Sequence, residues 1–239
     1  MPQCASPPRV VLTACLLLSV AGITHAAILF ADDFQSGDLG AWQVVTGDWR
    51  VEEEDGNSYA RSDGGPFRTM NIADRMFGDV TMTARIWQVS QDHGANIYAR
   101  NDQNAESRGR HSGYWFGVSG PLEAAGWGAF NRGVQTVQGV LYASAPLDTW
   151  VRLEVTLTGR SATMTAAVEG GAVVGEAAFD VPDLPAATSL DVPEGYLGFI
   201  VAGEQVRVDD VVVHGDVDSV AVRPRQSAAV TWASLRTAR

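Results

Sequence analysis

Two pairs of adjacent aspartates interrupt apolar stretches near the two ends of the chain, in "ILFADDF" and "VRVDDVVVHG". A carboxylate that leaves water must be hydrogen-bonded, paired with a cation or bound to a metal. The first and last strands of a domain commonly lie close together, which would bring Asp32 or Asp33 near Asp209 or Asp210. Ca²⁺ would relieve their mutual repulsion, because it accepts about six to eight oxygen ligands in irregular geometry. We therefore predict that Asp33 and Asp210 are shared ligands of a structural Ca²⁺.

The alternative is that the aspartates need no metal. One member of each pair would then hydrogen-bond a turn, while the other faces solvent or meets Arg207. The apolar positions also change phase across Asp209 and Asp210, which predicts a β-bulge that aims one carboxylate inward.

A second set of residues combines aromatic rings with amides, an acid and arginines, which is the mixture that binds sugars. The C–H faces of a sugar pack on aromatic rings, while its hydroxyls exchange hydrogen bonds with Asn, Asp and Arg side chains. The predicted carbohydrate-binding residues are Arg85, Trp87, Asn96, Tyr98, Arg100, Asp102, Trp115, Trp127 and Asn131. Packing beneath loops is the alternative for the tryptophans, and a buried ion pair with Asp102 is the alternative for Arg100.

The elements that must position these residues are strands. Apolar and polar residues alternate in "VTMTARIWQV", "WVRLEVTLTG" and "SATMTAAV", and the last two segments, joined across Gly159 and Arg160, predict a hairpin. About a dozen such segments are separated by Gly, Pro, Asn and Asp. This pattern predicts an all-β fold in which two antiparallel sheets pack as a sandwich.

The first 26 residues have the features of a signal peptide. An apolar stretch runs from Val10 to Ile23, and small residues at Thr24 and Ala26 precede the predicted cleavage point. The stretch is shorter than the roughly 20 residues that span a bilayer. We therefore predict a bacterial protein that is secreted, periplasmic or on the cell surface, without membrane insertion after cleavage.

The remaining chain is predicted to form one domain, at residues 27–215, followed by a basic tail at residues 216–239. Both cysteines, Cys4 and Cys15, lie in the predicted signal peptide, so the mature domain must fold without a disulfide. The tail carries four arginines and is predicted to be either a short docked helix or a disordered end. The oligomeric state is left open.

The charge of the body restricts its partners. All 28 acidic residues lie between Asp32 and Asp218, whereas only 12 of the 17 basic residues do. Nucleic acids and anionic lipids require cationic surfaces, so the body is a poor match for either. A neutral polysaccharide or oligosaccharide and a divalent cation are both compatible with it.

Several segments in a fixed order resemble one known family. They are "DDFQSGDLGAWQVVTGDWRVEEEDG", "FGDVTMTARI", "GANIYARND", "LDTWVRLEVTLTGRSATMTAAVEG" and "GYLGFIVAGEQVRVDDVVVHG". Together they resemble the concanavalin A-like, laminin-G-like jelly rolls, and most closely the secreted bacterial domains described as 3-keto-disaccharide hydrolase or family 16 glycoside-hydrolase-like. The likeness extends from Phe30 to Gly215.

The resemblance implies a convex and a concave sheet, glycans on the concave side and a structural Ca²⁺. The chain departs from the hydrolase-like pattern in the long polar segment "NDQNAESRGRHSG". It also has no E-x-D-x-x-E strand to supply the two carboxylates that a glycosidase needs. We therefore predict a glycan-binding module whose concave face recognises a neutral saccharide, without assigning catalytic residues. The alternatives are a glycoside hydrolase of the 3-keto-disaccharide type and a structural domain of the cell surface.

Overall fold

The computed structural model of the protein describes most of the predicted domain and the start of the predicted tail. The described residues are 26–65, 67–88, 94–102, 112–119, 124–131, 133–142, 147–171, 173–180, 194–203 and 205–222. The predicted signal peptide up to residue 25 and the tail from residue 223 lie outside them.

Two antiparallel sheets contain nearly all the strands. The eight-stranded sheet consists of β1 (Ala27–Asp32), β3 (Arg50–Glu54), β4 (Asn57–Ser62), β7 (Val80–Gln88), β12 (Trp150–Thr158), β13 (Ser161–Val168), β14 (Val173–Asp180) and β16 (Val206–Gly215). The seven-stranded sheet consists of β2 (Trp42–Thr46), β5 (Arg68–Ile72), β8 (Gly94–Asn101), β9 (Gly113–Ser119), β10 (Ala124–Asn131), β11 (Val134–Tyr142) and β15 (Tyr196–Val201).

The strand order shows that neighbours in space are often distant in sequence. The eight-stranded sheet runs β14-β13-β12-β7-β16-β4-β3, with β1 paired to β16 as well, and the seven-stranded sheet runs β11-β10-β9-β8-β15-β5-β2. The pairing of β1 with β16 confirms that the first and last strands of the domain are adjacent.

Over the described ranges, no helix has the length and apolarity needed to cross a bilayer.

The start of the predicted tail, residues 216–222, is described by the structure. A 3-10 turn at Val217–Ser219 leads into β17 (Val220–Val222), which pairs with β6 (Arg75–Phe77) as a separate two-stranded sheet. The part of the predicted tail that the structure describes is therefore tied to the domain by backbone hydrogen bonds.

The core lies between the two large sheets and follows from the alternation of the sequence. In β12 the side chains of Val151, Leu153, Val155 and Leu157 are buried against it, while the residues between them face outward. β12 and β13 form the predicted hairpin, with Thr158 opposite Ser161. The predicted antiparallel sandwich is confirmed.

Arg100 ties one sheet to the other. Arg100 is on β8 of the seven-stranded sheet, and its backbone has a φ of 45°. Its buried side chain extends to the turn between β12 and β13, which belong to the other sheet. There it donates hydrogen bonds to the carbonyl oxygen of Gly159 at 2.7 Å and to Asp79 Oδ1 at 2.9 Å. Asp79 Oδ1 also accepts from the backbone N–H of Gly159 at 2.8 Å. Arg100 thus has a structural role, as in the alternative to saccharide binding, but its partners are Gly159 and Asp79 and not Asp102.

We expect Arg100→Met to lower the free energy of unfolding by about 2 to 3 kcal/mol, because buried hydrogen bonds and one ion pair are lost while Asp79 keeps its charge. Urea denaturation measures this change. Arg152→Met, at an exposed position on β12, is the matched control and should change stability by less than about 0.5 kcal/mol. Equal stability of the two variants would show that the tie between the sheets contributes nothing.

Candidate functional site

Aromatic and charged side chains stand in rows on the outer face of the eight-stranded sheet. Trp87 on β7 lies opposite Trp150 on β12 and opposite Arg207 on β16. One step along the same face, Arg85 lies opposite Asp209. Because side chains alternate along a strand, these residues face away from the core that the intervening positions fill. The register therefore gathers residues from three strands onto one surface.

Three aromatic rings pack edge to face on this surface. The centroids of Trp87 and Trp150 are 5.5 Å apart with an interplanar angle of 76°, and those of Tyr59 and Trp150 are 6.4 Å apart at 69°. Such edge-to-face contacts are favoured by the ring quadrupoles. Tyr59 is buried, whereas both tryptophans are half-buried and remain open to solvent.

Two arginines cover parts of these rings. The guanidinium carbon of Arg85 lies 4.7 Å from the centroid of Trp150, and that of Arg207 lies 4.8 Å from Tyr59 and 5.4 Å from Trp87. These are cation–π distances, at which the ring face attracts the positive charge. We call these five residues, Tyr59, Trp87, Trp150, Arg85 and Arg207, the aromatic–arginine patch.

Arg85 is the charged centre of the patch, because three carboxylates meet it. Its Nη2 donates to Asp209 Oδ2 at 2.5 Å and its Nη1 donates to Glu169 Oε1 at 2.9 Å. Its Nε lies 2.9 Å from Asp210 Oδ2 as an ion-pair contact. Burial by itself lowers the pKa of Arg85, but the hydrogen bonds that it donates to Asp209 and Glu169, together with the nearby negative charges, outweigh burial and raise that pKa above its ordinary value.

Asp209 is the buried member of its pair. Only 1% of its side chain is exposed, and its Oδ2 accepts a second hydrogen bond from Asn57 Nδ2 at 2.9 Å. Asp210 is on the surface, with 55% of its side chain exposed. A register shift between Asp209 and Val212 and a φ of 48° at Asp210 confirm the predicted bulge. The bulge directs Asp209 into the outer patch and not, as predicted, toward the core.

Calcium does not fit the two ligands predicted for it as they are placed. Asp33 Oδ1 accepts a hydrogen bond from the backbone N–H of Gln35 at 3.1 Å, and Asp210 contacts Arg85. In the part of the chain that the structure describes, no three Asp, Glu, His or Cys side chains are grouped to hold a metal ion. Arg85, and not the predicted Arg207, supplies the positive charge beside the second aspartate pair.

The nine predicted carbohydrate-binding residues do not share one surface. Arg85 and Trp87 belong to the eight-stranded sheet, whereas the other seven lie on the seven-stranded sheet or at its ends. Trp127 does not face outward as predicted: it pairs with Phe116, which is fully buried, and it packs on the main core. Asp102 Oδ1 accepts a hydrogen bond from the backbone N–H of Ser112 at 3.1 Å.

Three of the remaining predicted residues, Asn96, Tyr98 and Trp115, lie on the outer face of the seven-stranded sheet. Tyr98 and Trp115 lie opposite each other there, but Tyr98 is only 1% exposed because it belongs to a second small apolar cluster. Asn96 Nδ2 is bonded to the carbonyl oxygens of Gly94 and Ile200 at 3.1 and 3.3 Å. Asn131 ends β10, and its side chain lies outside the described part.

Sequence reasoning missed Tyr59, Trp150, Arg207, Asp209 and Asn57 as members of the site. Alternation alone places Trp150 and Arg207 outward, since each precedes a buried valine. The pairing of β7 with β12 and β16 is what brings them together, and this pairing joins segments far apart in the chain.

The chain is similar to proteins of known structure, but not to known families at the level of sequence. No family model matches the chain, and no curated protein sequence matches it. A carbohydrate-binding module from Bacillus subtilis, CBM66, is similar in structure with a TM-score of 0.54 and 17% identity, covering 73% of this chain and 96% of that one. A protein of unknown function with a galectin-like fold, also from Bacillus subtilis, has a TM-score of 0.56 and 11% identity, covering 83% and 99%.

The fold is a concanavalin A-like jelly roll. In this jelly roll the aromatic–arginine patch lies on the sheet that contains the first and last strands of the sandwich, β1 and β16. At these identities the likeness concerns the fold, and the site must be judged from its own residues.

The pKa of Asp210 is raised by burial first and then by the charge of Asp209, and Arg85 only partly offsets these effects. The folded protein therefore retains a proton on Asp210 at pH values where the unfolded chain has released it. This carboxyl favours folding most below its ordinary pKa, about 3.9. That contribution is lost as the pH rises through the raised pKa.

We expect Asp210→Asn to raise the melting temperature at neutral pH. The gain in the free energy of unfolding should be less than about 1 kcal/mol, because the carboxylate is half exposed. The difference from the wild type should disappear as the pH falls below the ordinary pKa. Thermal melts across this range, with and without EGTA, measure both effects. Asp55→Asn is the matched control, because Asp55 is exposed and also has a positive φ. If Asp210→Asn is instead less stable than the wild type in Ca²⁺ but equally stable in EGTA, the predicted calcium site at Asp33 and Asp210 would be supported.

Proposed function

We propose that the protein is a secreted or cell-surface saccharide-binding module, and that the aromatic–arginine patch is its binding surface. The observation that carries this proposal is the pair of half-buried tryptophans, Trp87 and Trp150, side by side on an outer sheet face among arginine, aspartate and asparagine side chains. Sugar rings stack their C–H faces on such indoles. Arg85 and Asn57 are hydrogen-bonding groups of the kind that orient sugar hydroxyls, and the buried Asp209 holds both of them in place.

The electrostatics of the patch favour a ligand without negative charge. Arg85 and Arg207 are each bound by carboxylates, Arg85 by three and Arg207 by Glu54. An anionic sugar would have to compete with these internal acids and would be repelled by the rest of the acidic body. A neutral polysaccharide or oligosaccharide needs only to displace water. Nucleic acid is a poor partner for the same reason.

The patch is also well supported by its surroundings, which favours binding without rearrangement. The rings pack on one another, the guanidiniums lie on the rings, and Asp209 is fixed by Arg85 and Asn57. Preorganised side chains lose little conformational entropy when a ligand binds. The similarity in fold to a carbohydrate-binding module supports the same proposal, and the predicted signal peptide supports a place outside the cytoplasm.

We expect Trp87→Ala and Trp150→Ala each to weaken saccharide binding about three- to tenfold, because an aromatic contact of this kind contributes about 0.5 to 1.5 kcal/mol. A glycan array followed by calorimetry on the bound sugar measures the loss. Trp115→Ala is the matched control, because Trp115 is a half-buried tryptophan on the outer face of the other sheet.

The outcomes of this series separate the candidate functions. Loss of binding only in Trp115→Ala would move the site to the seven-stranded sheet. Release of reducing sugar or of a 3-keto sugar would indicate a hydrolase. A protein that binds no glycan and cleaves none would be a structural domain of the cell surface.

A further inference from the structure

We infer that the aromatic–arginine patch takes one sugar ring of a soluble saccharide at a time and does not adhere to the flat faces of crystalline polysaccharides. This inference rests on the proposed function, since it assigns the class of saccharide that the same surface can take. It is carried by the angle between the two tryptophans and by the side chains that cover or flank them.

The first step is the angle between the two indoles. Trp87 and Trp150 meet at an interplanar angle of 76°, so their planes are nearly perpendicular. The sugars on the face of a polysaccharide crystal are coplanar, and a stacked aromatic ring lies parallel to the sugar that it contacts. If one indole stacks on such a face, the other must meet that face with its edge. The two indoles therefore cannot stack together on a flat array of sugars.

The second step is the distance between the rings. The centroids of Trp87 and Trp150 are 5.5 Å apart, which is close to the width of one sugar ring. A single sugar can therefore stack on one indole while its margin touches the other. The third ring of the patch adds no place for a second sugar, because Tyr59 is only 4% exposed.

The third step is the cover that the arginines place on the rings. The guanidinium carbon of Arg85 lies 4.7 Å from the centroid of Trp150, and three carboxylates bind this guanidinium. Its displacement by a ligand would leave the buried Asp209 without its ionic partner, which is costly. The guanidinium carbon of Arg207 lies 5.4 Å from the centroid of Trp87. A ligand thus meets only the part of each indole that its arginine leaves open, which is too little ring surface for a row of sugars.

The fourth step is the charge that flanks the rings on the same sheet face. Arg152 is exposed and lies opposite Arg85, and Arg61 lies opposite Arg207. Because side chains alternate along a strand, both flanking arginines project on the side of the rings. A rigid crystal face laid on the indoles would remove water from these charges, which costs free energy. A soluble chain can avoid them, since only the sugar at the rings must make contact.

The test uses two polymers that exist both as crystals and as soluble oligosaccharides, namely the β-1,4-linked glucose of cellulose and the β-1,4-linked N-acetylglucosamine of chitin. Calorimetry compares oligosaccharides of two and six sugars, and sedimentation with microcrystalline cellulose and crystalline chitin measures adsorption. We expect at least one oligosaccharide series to bind. Its two lengths should differ in affinity by no more than about threefold, because the longer chain offers more sugars to one site but gains no second contact. Neither crystal should deplete the protein from solution.

Variants connect the result to the patch. Trp87→Ala should weaken binding of the two-sugar and the six-sugar ligand by the same factor, about three- to tenfold, since both use the same ring contact. Trp115→Ala, on the outer face of the other sheet, is the matched control and should bind both ligands as the wild type does.

Adsorption of the wild type to either crystal that is lost in Trp87→Ala would overturn this inference and leave the proposed function standing. An affinity that rises more than about tenfold from two to six sugars would also overturn it, because the longer chain would then gain further contacts. If no oligosaccharide of either series binds, the inference is overturned as well, and the neutral glycans of the array then decide the proposed function separately.

Discussion

The bulge at Asp209 and Asp210 is the constraint on which the arrangement of the eight-stranded sheet depends. β16 pairs with β7 along one edge, while its other edge pairs first with β4 and then with β1. The extra residue at the bulge keeps Val208 and Val211 in the core although they are three positions apart. It also leaves Asp209 on the outer face opposite Arg85. One irregularity therefore separates the part of β16 that pairs with β4 from the part that pairs with β1, and it lies beside the charged centre of the patch.

A buried carboxylate at that position is stable only with its partners in place. Asp209 is out of water, and the penalty for removing its charge from solvent is offset by Arg85 and Asn57. Arg85 in turn is held by Trp150 and by two more acids, so its geometry is over-determined. Such a network contributes less to net stability than to fixing one arrangement of the side chains, which is what a binding surface requires.

The β-sandwich could be predicted from the sequence, because the alternation of apolar and polar residues shows directly which side of a strand is buried. It predicted the β12–β13 hairpin, the bulge and the proximity of β1 to β16. It could not predict the site, because strand order decides which outward residues meet. Arg85 and Trp87 were placed with residues of the other sheet for that reason. Arg100 has a positive φ, so simple alternation does not describe its direction.

The two outer faces differ in how their aromatic residues are used. On the seven-stranded sheet, glycines leave room that neighbouring side chains fill: a Cβ on Gly113 would approach the ring of Tyr98 to 2.7 Å, and one on Gly117 would approach Asn96 Oδ1 to 2.4 Å. Tyr98 is consequently buried in an apolar cluster. On the eight-stranded sheet, Trp87 and Trp150 stand beside Arg85 and Arg207, whose guanidiniums lie over the rings and pair with carboxylates. Half-buried rings and charged side chains therefore occur together on this face, which is why we propose it, and not the outer face of the seven-stranded sheet, as the binding surface.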